Sequence, residues 1–470
     1  MIRYIKWGIW AYVLLLIFEG ALRKWILPGA SDVLLLVRDP VVAAIYGLAI
    51  AQGIFPRNGF IGFTFVLAVL SAIFPFLGGQ GNIWVTIYGV RTNYFHLPLI
   101  WVMASTLTRR DVRLIGYALL AITIPMTLLM VMQNRSPSTH WLNLGAGGGE
   151  GGQIHGAMGR IRPPGFFSFI TGPMVFFPLV TAFFLAYVTE KKKWYTHWFV
   201  IAAGICIALA LPISISRGMV VICGWVTVVF FACIFLKGAF NAAFARVIVS
   251  ALLVVVALRF LPVTQEAWIV FMDRWNQAAS EVQGDAWGSL TDRVASGFTA
   301  PFELMLDVPF FGHGIGVGSN VGAKLLSGRL GFLLSENEWE RAMLELGPLV
   351  GLGFLGLRVA LTLHLLTVSW QAFRRRGEVL PMLITAASIP PLLLQQWSQA
   401  TQLGFAVVDA GLVLALVNAP DDAGDDDEEF EGDLDDEDDE DSESKEEENE
   451  DEEDPLSEYE KRRRRMRGLA

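Results

Sequence analysis

Cysteine is scarce: three in 470 residues, Cys206, Cys223 and Cys233, all inside apolar runs. They exclude a disulfide framework and read as small hydrophobes. Histidine is scarce too, with six. No HExxH and no Cys/His pair at zinc spacing occurs, so the common metal signatures are absent and no metal or cofactor is expected. No Gly-Lys-Ser/Thr follows the glycine-rich stretches, which argues against a nucleotide phosphate loop. The first apolar run lacks a small-residue cleavage site and is followed by more such runs. It therefore reads as a span and not as a removed leader. No repeat of fixed period is found.

What the chain has in excess is apolar sequence. It is 53% hydrophobic with a mean hydropathy of +0.47, above the roughly 45–50% of a soluble domain. The formal charge of −10 misleads. Residues 421–470 hold 27 of the 46 acids and 7 of the 36 basic residues, so 1–420 is a basic membrane protein carrying an acidic tail. Nothing points to nucleic acid; the partners implied are membrane lipids. The tail is nearly pure Asp/Glu and is expected to be disordered. Its basic terminus, Lys461–Arg465 with Arg467, suits anionic lipid.

About twelve spanning helices are expected at roughly 20 apolar residues each. They fall near 7–27, 31–53, 59–77, 89–107, 112–133, 167–189, 195–215, 217–236, 243–261, 341–369, 379–397 and 402–419. The links carrying Arg3 and Lys6, Arg57, Arg109–Arg110 with Arg113, Lys191–Lys193, Lys237 with Arg246, and Arg374–Arg376 fall on one side in a single register. The positive-inside rule puts that side in the cytoplasm. Both termini are then cytoplasmic, and the polar intervals 134–166 and 262–340 extracytoplasmic. The chain divides into an N-terminal bundle (1–261), a helical outer subdomain (262–340), C-terminal spans (341–420) and the tail (421–470). Within 262–340, helical patterning runs over Thr264–Gln283 and Thr291–Leu306 before a turn at Pro309.

The stretch Ser335–Gly356 stands out. Ser335 suits an N-cap, and Glu336, Glu338 and Glu340 load the first turn beside Asn337, where a helix dipole favours negative charge. Charge at a membrane boundary is costly and is a functional candidate for that reason. Arg217, in the SISRG run Ser214–Gly218, lies between two apolar helices. It is either a snorkelling helix-end arginine or a clamp on phosphate. Arg160 and Arg162 end a glycine-rich interval, and Arg91 follows an outer loop. Glu19, Arg23, Lys24, Arg38 and Asp39 read as ion pairs between the first two helices, with a substrate lining as the alternative. The FGHGIGVGSN run ending at Asn320 is a tight glycine turn or a backbone N–H nest for an anion. His313 lies in it.

The order of these motifs resembles the O-antigen ligase and O-antigen polymerase superfamily. The run is an SRG arginine, then a long outer loop ending in Asp307, Pro309, Gly312, Gly314 and Gly316, then a helix opening with Asn337, Glu345 and Gly347. The resemblance is specific over about 210–356. It implies a GT-C-type all-α membrane glycosyltransferase of the bacterial inner membrane, independent of metal. The donor would be a glycan on undecaprenyl diphosphate, the acceptor a glycan or lipid hydroxyl. It also implies arginines on the diphosphate, here Arg217, Arg162, Arg160 and Arg91, and a histidine–asparagine pair at the late helix. Glu336 stands where that histidine is expected, before Asn337. The base is then Glu336, Glu338, Glu340 or His313. A polysaccharide or lipid-linked-glycan transporter and a non-catalytic envelope scaffold are the competing readings.

Overall fold

The computed structural model describes residues 2–79, 81–149, 153–189, 198–238, 260, 262–281, 286–305, 307–329, 331 and 333–419. The expected span 243–261, apart from residue 260, the basic links at 191–193 and 246, and the tail 421–470 lie outside them. The described chain is helical throughout, with one isolated extended bridge, His155 to Ile161. The helices used below are α1 (Ile2–Ala21), α2 (Arg38–Ala51), α3 (Gly59–Leu77), α4 (Ile83–Val90), α5 (Leu99–Thr106), α6 (Arg109–Arg135), α7 (Thr171–Thr189) and α8 (Trp198–Ile213). There follow α9 (Arg217–Leu236), α10 (Pro262–Glu281), α11 (Ala286–Leu304), α12 (Asn320–Ser327), α13 (Glu338–Arg376), α14 (Leu380–Leu393) and α15 (Ala400–Asn418).

Among the described residues, eight helices are long and apolar enough to cross a membrane. The protein is a multi-pass, all-α membrane protein. The expected spans at 195–215 and 379–397 become shorter apolar helices, α8 with 16 residues and α14 with 14. The expected span 89–107 is interrupted. It runs as α4, a π-helical turn Arg91–Phe95, and α5. The reason is local. Thr92 Oγ1 and Asn93 Nδ2 donate back to the Gly89 carbonyl at 3.1 and 2.8 Å, and Pro98 has no N–H to continue the ladder. A second π-helical turn, Leu22–Ile26, ends the first span, and Pro28 follows it.

The expected continuous span 341–369 is also bent. Gly347 sits at φ 73° inside α13 and Pro348 follows. A Cβ at Gly347 would lie 2.2 Å from the Phe310 carbonyl oxygen, so only glycine fits both the turn and the contact. The N-cap is Asn337, not Ser335: Asn337 Oδ1 accepts from the Trp339 amide at 3.1 Å. Glu336 therefore precedes the helix, while Glu338 and Glu340 occupy its first turn.

The helix α15 lies at the centre, with 83% of its span window buried. It packs on α5, α14, α7 and α13. In lipid such contacts hold by van der Waals packing and buried polar bonds, because apolar surface gains nothing by leaving lipid for protein.

Candidate functional site

The start of α13 carries a sealed ion network. Arg341 bonds Glu338 twice, at 2.8 and 2.9 Å, and Glu345 at 2.6 Å. Its Nη2, which bonds Glu338, also donates to Asn93 Oδ1 at 3.1 Å. Arg358 pairs with Glu338 from beyond the bend. Two guanidiniums thus balance two carboxylates, and all four residues are at most 1% exposed. Such burial is tolerable only because every charge has a partner. Glu338, a candidate base, is held here as a structural anion with no exposed surface.

The glycine turn docks on the same helix. The His313 and Gly314 amides donate to the carbonyls of Leu344 and Glu345 at 2.8 and 2.9 Å. The Gly318 amide donates to Glu345 Oε1 at 2.7 Å. The two carbonyls are acceptors freed by the bend at Gly347. The nest of N–H groups is therefore turned onto α13 in part, and His313 is half-buried in it.

The N-terminal charges form a second network, centred on the two π-helical turns. Arg91 makes a two-bond pair with Asp39 and also donates to Leu35 O at 2.7 Å. Asp39 Oδ1 bonds His96 Nε2 at 2.9 Å, and His96 Nδ1 bonds the Tyr12 hydroxyl at 2.9 Å. Arg38 joins Tyr12 to Glu19, and Glu19 reaches Arg23. Lys24 is buried and donates to Gly165 O at 2.7 Å. The ion-pair reading of Glu19, Arg23, Arg38 and Asp39 holds, and Arg91 belongs with it. The π turn Arg91–Phe95 fans its side chains apart: Arg91 to α2, Asn93 to α13, and Tyr94 to Ser71 of α3 at 2.8 Å.

The other arginines gather elsewhere. Residues 154–162 form a small hairpin: the Gly156 amide donates to Arg160 O at 2.7 Å and the Arg162 amide to Ile154 O at 2.9 Å. Its Ala157 packs with Ile215 and Val270. That contact brings the Arg160/Arg162 hairpin, the turn before Arg217 and α10 together. Arg160 donates to Asn134 O at 3.1 Å, and Glu266 of α10 lies 3.6 Å from it and 3.8 Å from Arg135. These side chains line a small cleft with Ile213. Arg217 opens α9 above the N-cap Ser216.

A line of contacts joins this group to the start of α13. A Cβ on Gly218 would sit 3.1 Å from Met174 on α7. Thr171, which opens α7, donates to Gln399 Oε1 at 3.3 Å. Gln399 donates to Gln396 at 3.2 Å, and Gln396 donates to the Glu336 carbonyl at 2.6 Å. Glu336 itself is exposed. Asn337 is occupied as the cap, and Glu340 accepts from Ser335 Oγ at 2.8 Å.

The segment Leu394–Gln399 escaped the sequence reading, which ran it into the end of a span. It takes bonds from Arg358 and gives its Trp397 amide to Glu338 Oε1 at 3.2 Å. The available signal was Gln395, Gln396, Gln399 and Gln402 at a break between two apolar runs. Among the described residues no group of three His, Cys, Asp or Glu is placed to hold a metal ion.

No protein-family model matches the chain, and no curated protein matches it.

Proposed function

We propose that the protein is a membrane glycosyltransferase. It would transfer or polymerise glycan from a polyprenyl-diphosphate-linked donor at the extracytoplasmic face of the bacterial inner membrane. The motif order that resembles the O-antigen ligases and polymerases motivates this reading. The observation that carries it is the line of contacts from the Arg160, Arg162 and Arg217 group to the exposed Glu336. A twelve-span, GT-C-like topology with both termini in the cytoplasm would put that line on the outer face.

The chemistry is simple to write. An acceptor hydroxyl attacks the anomeric carbon of the donor sugar. The bond from that carbon to the diphosphate oxygen breaks. The hydroxyl proton passes to the Glu336 carboxylate, and the leaving diphosphate carries its charge onto the guanidiniums. Bidentate guanidinium–phosphate bonds are strong and directional. The leaving group is already activated, so the protein's task is orientation and charge neutralisation. Glu336 is the candidate base because Glu338 is sealed against two arginines.

Reconstitution with a polyprenyl-diphosphate oligosaccharide tests this by release of free polyprenyl diphosphate. Glu336→Ala and Arg217→Ala should each abolish release, and should fail to restore surface glycan to a strain lacking the protein. Normal glycan in both variants would eliminate the mechanism.

One observation favours a transporter instead. One apolar run is interrupted by a π-helical turn carrying Arg91, and the first span ends in another carrying Arg23 and Lys24, and interrupted helices house substrate sites in transporters. Movement of intact lipid-linked glycan across a vesicle, without diphosphate release, would select that reading.

A further inference from the structure

Asn134, near the end of α6, ties three walls of the cleft beside Arg160. Its side-chain amide donates to the carbonyls of Ile161 and Ile213 at 3.5 and 3.3 Å. Its own carbonyl accepts from Arg160 Nη1 at 3.1 Å. The hairpin, the end of α8 and the end of α6 are thereby held together. The helix α10 closes the fourth side with Val270 and Glu266. Arg135, the last residue of α6, lines the same space.

The Glu266 carboxylate lies between the two cations. Its Oε2 is 3.8 Å from Arg135 Nη2 and 3.6 Å from Arg160 Nη2. Both separations are beyond hydrogen-bond reach, so neither guanidinium is locked to it. The side chains of Arg135, Arg160 and Glu266 are 46%, 32% and 54% exposed, so the group is open to solvent. The sealed pair of Arg341 and Glu338 at 2.8 Å is the contrast. Two guanidiniums face one carboxylate here, which leaves one positive charge over. With that carboxylate in place the cleft has room for about one water molecule. A second anion cannot share the space. It must take the position that the carboxylate holds.

We propose that Arg135 is a ligand of the donor diphosphate together with Arg160, and that Glu266 holds the phosphate's place until the donor arrives. The inference rests on the transferase reading and adds a ligand and a self-block to its site. Carboxylate and phosphate both present paired acceptor oxygens to a guanidinium fork, so one can replace the other. The diphosphate carries more charge and displaces the Glu266 side chain into solvent. Loose, exposed ion pairs are weak, so the block is small and reversible.

The test measures binding of polyprenyl diphosphate and of inorganic diphosphate to the full chain in lipid nanodiscs. Glu266→Gln should tighten both about three- to tenfold, the scale of two exposed ion pairs. Misfolding does not tighten binding, so this variant carries the test. Arg135→Gln should weaken both about tenfold at the wild-type Tm, as the loss of charge-assisted hydrogen bonds implies. Asp273→Asn controls for net charge. It removes the same charge from α10 at a residue that accepts from Gln277 at 2.8 Å, and should leave both affinities within about twofold. Unchanged binding in Glu266→Gln or in Arg135→Gln, or equal tightening by Asp273→Asn, overturns the proposal. So does a response confined to inorganic diphosphate, which would put a free anion in the cleft in place of the lipid donor. In those cases the transferase reading still stands if the reconstituted wild type releases polyprenyl diphosphate from a glycosylated donor. Binding as expected without that release removes the transferase reading and keeps the cleft as a diphosphate site. A wild-type protein that binds neither probe overturns both.

Discussion

Arg358 pairs with Glu338 although twenty residues separate them within one helical run. In a straight helix they would stand about 30 Å apart. The bend at Gly347 folds the first turns of α13 back, so that Met343 also comes within 3.0 Å of a Cβ built on Gly351. The bend and the ion network depend on each other. The pair cannot close without the bend, and the bend leaves backbone carbonyls that the glycine turn must satisfy.

Removing one member of the network should therefore be expensive. Glu338→Gln leaves two buried guanidiniums facing one carboxylate, and should cost about 3–5 kcal/mol. The double variant Glu338→Gln/Arg358→Met restores charge balance and should recover part of that loss. Thermal unfolding in detergent checks both, and equal Tm values for single and double variants would contradict the pairing.

Gly347→Ala should be strongly destabilising, because its φ of 73° and the 2.2 Å approach of Phe310 O leave no room for a methyl. Gly356→Ala, with nothing within 4 Å of its Cβ, is the control on the same helix. It should be neutral or stabilising by up to about 1 kcal/mol. A similar loss in both would mean that the bend has no special role.

Glu336 and Glu338 should separate activity from stability. Glu336 is exposed and precedes the helix, so Glu336→Gln should keep the wild-type Tm and lose product formation. Arg217→Lys keeps the charge and loses the bidentate fork. It should raise the KM for lipid-linked donor about tenfold or more, as charge-assisted bonds of about 1.5–3 kcal/mol imply. Wild-type kinetics in both variants would remove these residues from the chemistry.

Asp409 lies within α15 at 1% exposure, and neither carboxylate oxygen has a hydrogen-bond partner among the described residues. A buried polar group in that state costs about 1–3 kcal/mol. Asp409→Leu, of similar size, should hold or raise Tm. A large fall in Tm would reveal a partner that the described residues do not include.

The long apolar runs were legible from composition alone, since a single stretch of some 20 apolar residues in lipid satisfies its own backbone groups within the segment as a helix. Gly59–Leu77 and Arg217–Leu236 begin and end where the sequence reading put them. The interrupted helices were less legible. In the run 89–107 the break comes from Thr92, Asn93 and Pro98, whose backbone competition is outweighed in any hydropathy window by the neighbouring Leu, Ile and Trp. In the run 341–369, Gly347 could be seen, but its positive φ is set by the Phe310 carbonyl packed against it.

Partnership was the least legible of all. Arg341 was not singled out from the sequence, and nothing local says that Arg341, Arg358 and Asn93 complete a set with Glu338 and Glu345, because ion pairs between distant segments leave no period in a sequence. The same holds for Arg91, which stands among candidate phosphate ligands by position and among Asp39 and His96 by geometry. The amino-acid order thus settles that this chain is a helical membrane protein with an acidic tail, because burial in lipid is a sum over neighbouring residues. Which charges are sealed into the scaffold and which reach solvent depended on the folded packing, because a charge's environment is made by residues far from it along the chain.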